Sequence, residues 1–383
     1  MPSSQWTNDF LDSMRSVTDP PADQAVRELF EQGEVGAVNQ LMSDMLKNDQ
    51  LVPEALPPCI RRYIEKSERL PEWADANKIS QAEDFFARNG MLIGMTLLFS
   101  SLPMCYACAK GVQVLSLTAR LETDAKRRVA ETSQMIIHVM VPGGLSATGR
   151  GVDEAQKVRL MHAAVRHLIN QSGHWDSSWG APINQEDLAG TLLSFSFLPT
   201  TSLEKLGINV LPEEAEAYLH AWNVVGHIMG VKSELLPANM NEANQLVDLI
   251  GKRNFEASEA GREMTSALIE MVDDTLPGSI FKGFPATMIR FLNGDQVADI
   301  VGVTSVDWTR KLIGPIGKIF GRIEGEEDRS RILGVVSEHF GRAFMESFSW
   351  IDRGGHRAPF EIPDVLREQW NLKAHPGASL FKR

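Results

Sequence analysis

From Asp23 almost to the end of the chain, apolar residues return every three or four positions, and this one periodicity rules out most folds. A repeat near 3.6 is the signature of helices with one buried face, whereas half-buried strands repeat every two residues. Strand-type alternation is almost absent, and Pro and Gly fall between the periodic runs, where helices must end. The spacing predicts helices near 23–32, 35–47, 53–67, 80–102, 104–117, 119–141, 152–171, 185–196, 201–206, 212–230, 238–250, 254–273, 277–293, 296–303, 305–314, 317–323 and 326–349. No internal repeat, long linker or low-complexity tract divides them. The expectation is an all-α fold, with residues 1–30 as a polar, extended arm containing Pro20-Pro21, a single helical domain over 31–365, and a tail at 366–383.

Charge and cysteine usage narrow the function. A net charge of -12 argues against a nucleic-acid surface, which needs a concentrated basic face, and against adhesion to anionic membranes. Three cysteines, Cys59, Cys105 and Cys108, are too few for a disulfide framework and fit a reducing compartment. Cys105-Tyr-Ala-Cys108 has CxxC spacing but no second Cys or His pair nearby, so these are expected to be buried small side chains rather than zinc ligands. The start, Met1-Pro-Ser-Ser-Gln-Trp-Thr-Asn-Asp, lacks the basic and apolar regions of an export signal, and a cytoplasmic location is expected. Asn89 to Ala109 carries no charge but is interrupted by Ser100, Ser101 and Pro103, which suits a core helix ending before Pro103 better than an integral membrane segment.

Two predicted helices stand out. One runs from Thr118 to Met140 and stops at Pro142-Gly143-Gly144; the next starts near Asp153, a candidate N-cap, and continues through Asn170. The short connection lets them pack as a hairpin. Thr132 lies ten residues before Pro142, and His162 nine after Asp153. At ~1.5 Å per residue both sit roughly 15 Å from the turn, at similar heights.

Among nine histidines, His162 has the most informative address. Val158, Met161, Val165, Leu168 and Ile169 form an apolar stripe that includes it, and Arg159 and Arg166 flank it along the helix. A neutral imidazole in an apolar slot with guanidinium groups nearby suits a haem pocket; it equally suits a hydrogen-bonded core histidine beside salt-bridged arginines. On the preceding helix, Arg128, Glu131, Thr132 and Met135 share one face, either a polar wall across a cofactor gap or a solvated face. His220 and His227, seven apart on a further helix, are too distant to hold one metal together, and either rivals His162 as an axial ligand. Glu213-Glu214-Ala-Glu216 reads as a helix N-terminus complementing the dipole.

Val158-Arg-Leu-Met-His162-Ala-Ala-Val-Arg166-His-Leu-Ile and Arg128-Val-Ala-Glu131-Thr132 resemble the latex clearing protein family of b-haem rubber oxygenases and its wider haem-binding oxygenase superfamily. Asn48-Asp49-Gln50, Arg69-Leu-Pro71-Glu-Trp73-Ala-Asp75, Glu216-Ala-Tyr-Leu-His220-Ala-Trp222 and Ile362-Pro363-Asp364-Val365 extend the resemblance over residues 30 to 365. It implies a globin-like helical core with additional peripheral helices and one non-covalent haem b. It implies iron on His162, with Arg159, Arg166, Met135 and Val165 around the cofactor and Arg128, Glu131 and Thr132 around bound O2.

The resemblance also implies O2-dependent cleavage of C=C bonds in an apolar, isoprenoid-like or unsaturated lipid substrate. Two departures bear on the substrate. The family's distal lysine is Glu131 here, and the family's catalytic glutamate falls in Leu102-Pro103-Met-Cys-Tyr106-Ala-Cys108, which has no acid. A carboxylate at 131 suits a general base. A hydroperoxide isomerase or peroxidase and a globin-type gas-binding protein are the other readings.

Overall fold

The computed structural model describes residues 6–33, 54–67, 70–118, 121–275 and 283–304. The motifs at 48–50, Arg69 and 362–365, the helices expected at 35–47 and beyond 304, and the tail at 366–383 lie outside the described residues. So does the side chain of Arg128.

Among the described residues there are helices and no strand, as the periodicity predicts; an isolated bridge pairs Cys108 with Phe255. The first departure from expectation is at the N-terminus. Instead of an extended arm, residues 8–32 form α1 (Asn8–Met14) and α2 (Pro20–Gln32). Asp19 precedes two prolines at the first helical positions, where a missing N–H costs nothing and the fixed φ already suits a helix. Helix α2 ends at Gly33, whose φ of 72° is open to glycine without strain. Its apolar face (Ala22, Ala25, Val26, Leu29) packs on Leu56, Ile60, Tyr63 and Ile64 of and before α3 (Pro58–Ser67), and on Leu160, Ala163, Ala164 and Leu168.

The charge-free stretch also behaves differently from expectation. Helix α4 (Ala76–Thr96) does not stop before Pro103 but passes through a π-helical turn, Leu97–Ser101, into α5 (Leu102–Ala107). Pro103 is accommodated in the first turn of α5. The Ala76–Ala107 run is long and apolar enough to cross a membrane by composition, yet half of its most apolar window is buried against the rest of the chain.

After α6 (Val112–Thr118) come the hairpin helices α7 (Leu121–Met140) and α8 (Gly151–Ser172). Then follow α9 (Gln185–Lys205), α10 (Pro212–Ile228), α11 (Met240–Asn254), α12 (Glu259–Thr275) and α13 (Phe284–Ile300). The break expected between 196 and 201 is absent. Pro199 sits inside α9 with Leu198 and Thr200 buried on either side, so packing outweighs the one hydrogen bond that proline cannot donate.

Helix α10 lies along α4 and α9 at the centre of the main core, where Trp222 stacks on Phe195 at 5.1 Å and Tyr218 meets Phe85 edge-on. A further apolar cluster joins the π turn and α5 to α12 and α13 through Phe99, Tyr106, Met264, Leu268, Met288 and Ile289.

Candidate active site

The hairpin is closed by its glycines. Gly151 lies so near α7 that a Cβ there would stand 2.9 Å from the Cα of Val139, and the Gly151 N–H donates to the Gly144 carbonyl at 2.8 Å. Glu83 of α4 is buried at this turn, and its carboxylate accepts from the amides of Gly143 and Gly144. Burial pushes its pKa up. The N-cap of α8 is Arg150, not Asp153. Asp153 falls in the first turn, 2% exposed, and takes a 2.7 Å ion pair from Lys157 one turn on. Two charges so buried persist only as a pair.

His162 sits mid-way along α8. Leu160, Ala163, Ala164 and Leu168 around it are buried against α2 and α3, while Val158, Met161 and Val165 on its own side are only half-covered. Its Nδ1 is sealed from solvent and has no hydrogen-bond partner among the described residues. Burial, helped by the neighbouring Arg166 charge, depresses its pKa from 6.5 to about 4, so the ring is neutral near pH 7. A neutral imidazole on a half-covered apolar face has the donor chemistry of an axial haem ligand. No group of three metal-ligating side chains occurs among the described residues, and one imidazole is all that a haem iron requires of the protein.

The flanking arginines are committed to the N-terminal segment. All three guanidinium nitrogens of Arg159 donate: Nε and Nη2 to the Asp19 carboxylate at 2.5 and 2.7 Å, and Nη1 to the Ile228 carbonyl at 3.0 Å. Burial works against this cation, but Asp19 outweighs it and leaves it more firmly charged than an ordinary arginine. Arg166, 2% exposed, donates from Nε to Asp23 at 2.7 Å and from Nη1 to the Ile183 carbonyl at 3.2 Å. Its Nη2 is buried with no partner among the described residues.

On α7, Met135 is buried in the main core, Glu131 is half-buried and Thr132 is exposed. Among the described residues of this face, Thr132 alone is exposed. The remaining candidates lie elsewhere. His220 accepts the Asp75 N–H on Nε2 at 2.9 Å and meets Trp73 edge-on at 5.6 Å. His227, exposed at the end of α10, meets the same Trp73 at 6.0 Å. His220, with Nε2 occupied, and His227, at the surface, form an aromatic group around Trp73, and His227 lies within electrostatic reach of Arg159. Cys105 and Cys108 are free, with burial pushing both thiols up, Cys108 well above the ordinary range. Both are half-buried rather than buried, and the Cys108 thiol donates to the Met104 carbonyl at 3.5 Å.

Sequence reasoning missed Asp19 and Asp23. The signal was present: Asp followed by Pro-Pro marks a helix start, and an acid in the first turn follows it. Their partners, 140 and 143 positions away, leave no local trace.

Comparison with known proteins gives this arrangement a family. Residues 85–316 match the sequence model described as "ER-bound oxygenase mpaB/B'/Rubber oxygenase, catalytic domain". A rubber oxygenase from Streptomyces sp. (strain K30) is 29% identical over 357 residues, spanning 92% of this chain and 86% of that protein. The solved structure of latex clearing protein LCP in the closed state superimposes with a TM-score of 0.75 at 27% identity, covering 86% of this chain and 91% of the other. With more than half of its length matching the family and the helical architecture shared throughout, the chain belongs to the mpaB/B'/rubber oxygenase family and is an oxygenase of that family.

Proposed function

We propose that this oxygenase is a b-type haem dioxygenase that cleaves a C=C bond of an apolar, isoprenoid-like or unsaturated lipid substrate with O2. The observation that carries the reading is His162: neutral, with Nδ1 sealed and unpartnered, on a half-covered apolar face of α8. The rubber oxygenase relative supports the substrate class by its name. When bound, haem supplies the one-electron and O2 chemistry that amino-acid side chains lack. The net reaction adds one oxygen atom of O2 to each alkene carbon and leaves two carbonyl ends.

The chain's own residues prepare that reaction. His162 holds the iron through a ring nitrogen that needs no deprotonation near pH 7. Val158, Met161 and Val165 exclude water and give an apolar substrate its surface, with Met135 buried behind them in the core. Glu131 and Thr132, with Arg128 on the same helical face by sequence, provide a carboxylate to take or return a proton and a hydroxyl to orient O2. Where the family has a lysine, Glu131 offers a carboxylate, which would suit proton transfer.

An absorption spectrum of the isolated protein, with imidazole and then CO added, tests the cofactor and its open position together. A Soret band that shifts with both ligands is expected, and His162→Ala should lose it. A protein that stays colourless after haem supplementation defeats the proposal. Oxygen uptake with an alkene, set against consumption of a lipid hydroperoxide, separates dioxygenase from isomerase or peroxidase; stable O2 binding with neither substrate consumed indicates a gas-binding protein. Glu131→Gln is expected to slow alkene turnover by about 10²-fold or more, with the Soret band unchanged.

A further inference from the structure

We propose that the N-terminal segment is part of the cofactor site, with Asp19 and Asp23 as positioning residues that hold Arg159 and Arg166 and, through them, the His162 face of α8. The proposal rests on the haem reading above and assigns roles to residues outside the 85–316 region matched by the catalytic-domain family.

The geometry is specific. Arg159 lies three residues before His162 and Arg166 four after, so at 3.6 residues per turn both project on roughly the same side of the helix as the imidazole. The two ion pairs bracket His162 over ~10 Å of helix. Both acids come from the start of α2, one just before its first turn and one within it. The Asp19 pair is a side-on, two-point contact, the form that fixes orientation as well as position. Tyr63 of α3 lies against the Arg159 guanidinium at 5.6 Å, and the Tyr63 hydroxyl donates to the Gln156 carbonyl of α8.

Surrounding groups are shaped to the pair. Gly230, at φ +83°, faces it so closely that a Cβ would stand 2.6 Å from Asp19 Oδ2 and 2.7 Å from Arg159 Nε. Gln185 Nε2 donates to both the Thr18 and Gly230 carbonyls, tying the chain before Asp19 to the chain after α10. Four residues before Asp19, Arg15 reaches the buried Glu186, and also Asp187 and Asn254, so the segment is anchored to α9 and α11 independently of α8. Asp19 and Arg166 are 3% and 2% exposed, and charges this deep hold one arrangement because every alternative leaves a cation or a carboxylate unpaired. In a metal site, partners that orient the ligand typically alter metal retention by about 10- to 100-fold.

The test is the rate at which haem leaves the loaded full-length protein for an excess of an apomyoglobin trap, together with the EPR g-values of the imidazole-saturated ferric form. Asp19→Asn and Asp23→Asn are expected to release haem about 10- to 100-fold faster than wild type. Asp12→Asn removes a surface pair between the same segment and Arg253 and should stay within about twofold, since it loosens docking without touching α8. Asp19→Glu and Asp23→Glu keep the charge but lengthen the arm by one methylene, so they cover the case in which a lone buried guanidinium prevents folding. They are expected to release haem faster and to shift the g-values, a change that a role in stability alone would not cause. Equal release rates and unchanged g-values across the folded variants overturn the proposal while leaving the haem reading intact. A wild-type protein without a Soret band overturns both.

Discussion

On α8, Leu160, Ala163, Ala164 and Leu168 are buried and Arg159 and Arg166 are held by carboxylates from another helix, whereas on α7 Glu131 is half-buried and Thr132 lies open. The two helices pack on one another through a turn too tight for a side chain at Gly151, yet the molecule fixes one and leaves part of the other uncovered. Under the proposed function, the contrast separates two needs. A ligand nitrogen must be placed to a fraction of an ångström, and packing with buried ion pairs achieves that. A group that meets O2 and a greasy substrate must be reachable, and a reachable polar group costs little because water still solvates it.

The contrast can be broken from either side. Leu160→Ala, on the fixed side, should cost about 2–5 kcal/mol in a urea melt, because it removes a fully buried side chain and leaves a cavity. A loss under ~1 kcal/mol would mean that α8 is less firmly held than its burial implies.

The acid response of the cofactor-free protein comes next. The His162 pKa of about 4 lies below the ordinary 6.5, so below pH 6.5 the unfolded chain takes up a proton that the folded ring refuses. Stability attributable to this residue is whole above pH 6.5 and falls as pH drops towards 4, by on the order of 3 kcal/mol. His162→Gln should flatten stability against pH across that window. An unchanged slope would show the imidazole to be solvated.

At the junction of the two helices, Gly151→Ala should destabilise by about 1–3 kcal/mol, as backbone must shift to admit the methyl group. A neutral result would show that the turn yields. The smallest structural effect belongs to the open side: Thr132→Ala should change stability by no more than ~0.5 kcal/mol while slowing alkene-dependent oxygen uptake. A large stability loss there would erase the distinction between the helices.

Much of this was legible from residue order. The helical periodicity gave the fold class, Pro142-Gly143-Gly144 gave the hairpin, and the Arg159–His162–Arg166 spacing picked out the face that the structure leaves half-covered. What escaped was set by distant partners. Arg159 looks the same in sequence whether its counter-ion is a cofactor or Asp19, 140 residues away. The shared helix face of His220 and His227 is visible in sequence, whereas the edge-on contacts of both rings with Trp73 are not. Local rules that penalise proline inside helices end a helix before Pro103 and open the gap between 196 and 201 that holds Pro199. A π turn before one and a buried setting around the other lie outside those rules.

The long reach of the N-terminal contacts also sets a clock. Trp6 donates its indole N–H to the Glu234 carbonyl, 228 residues later, and Arg253 binds Asp12 across 241. A ribosome adding about 5–20 residues per second emits Asp19 on the order of ten seconds before Arg159. During that interval α2 has α3 to pack on but lacks the α8 part of its apolar floor and its counter-charges. Residues 6–33 therefore gain their last partners only once Arg253 has been added, well after α8 itself is complete.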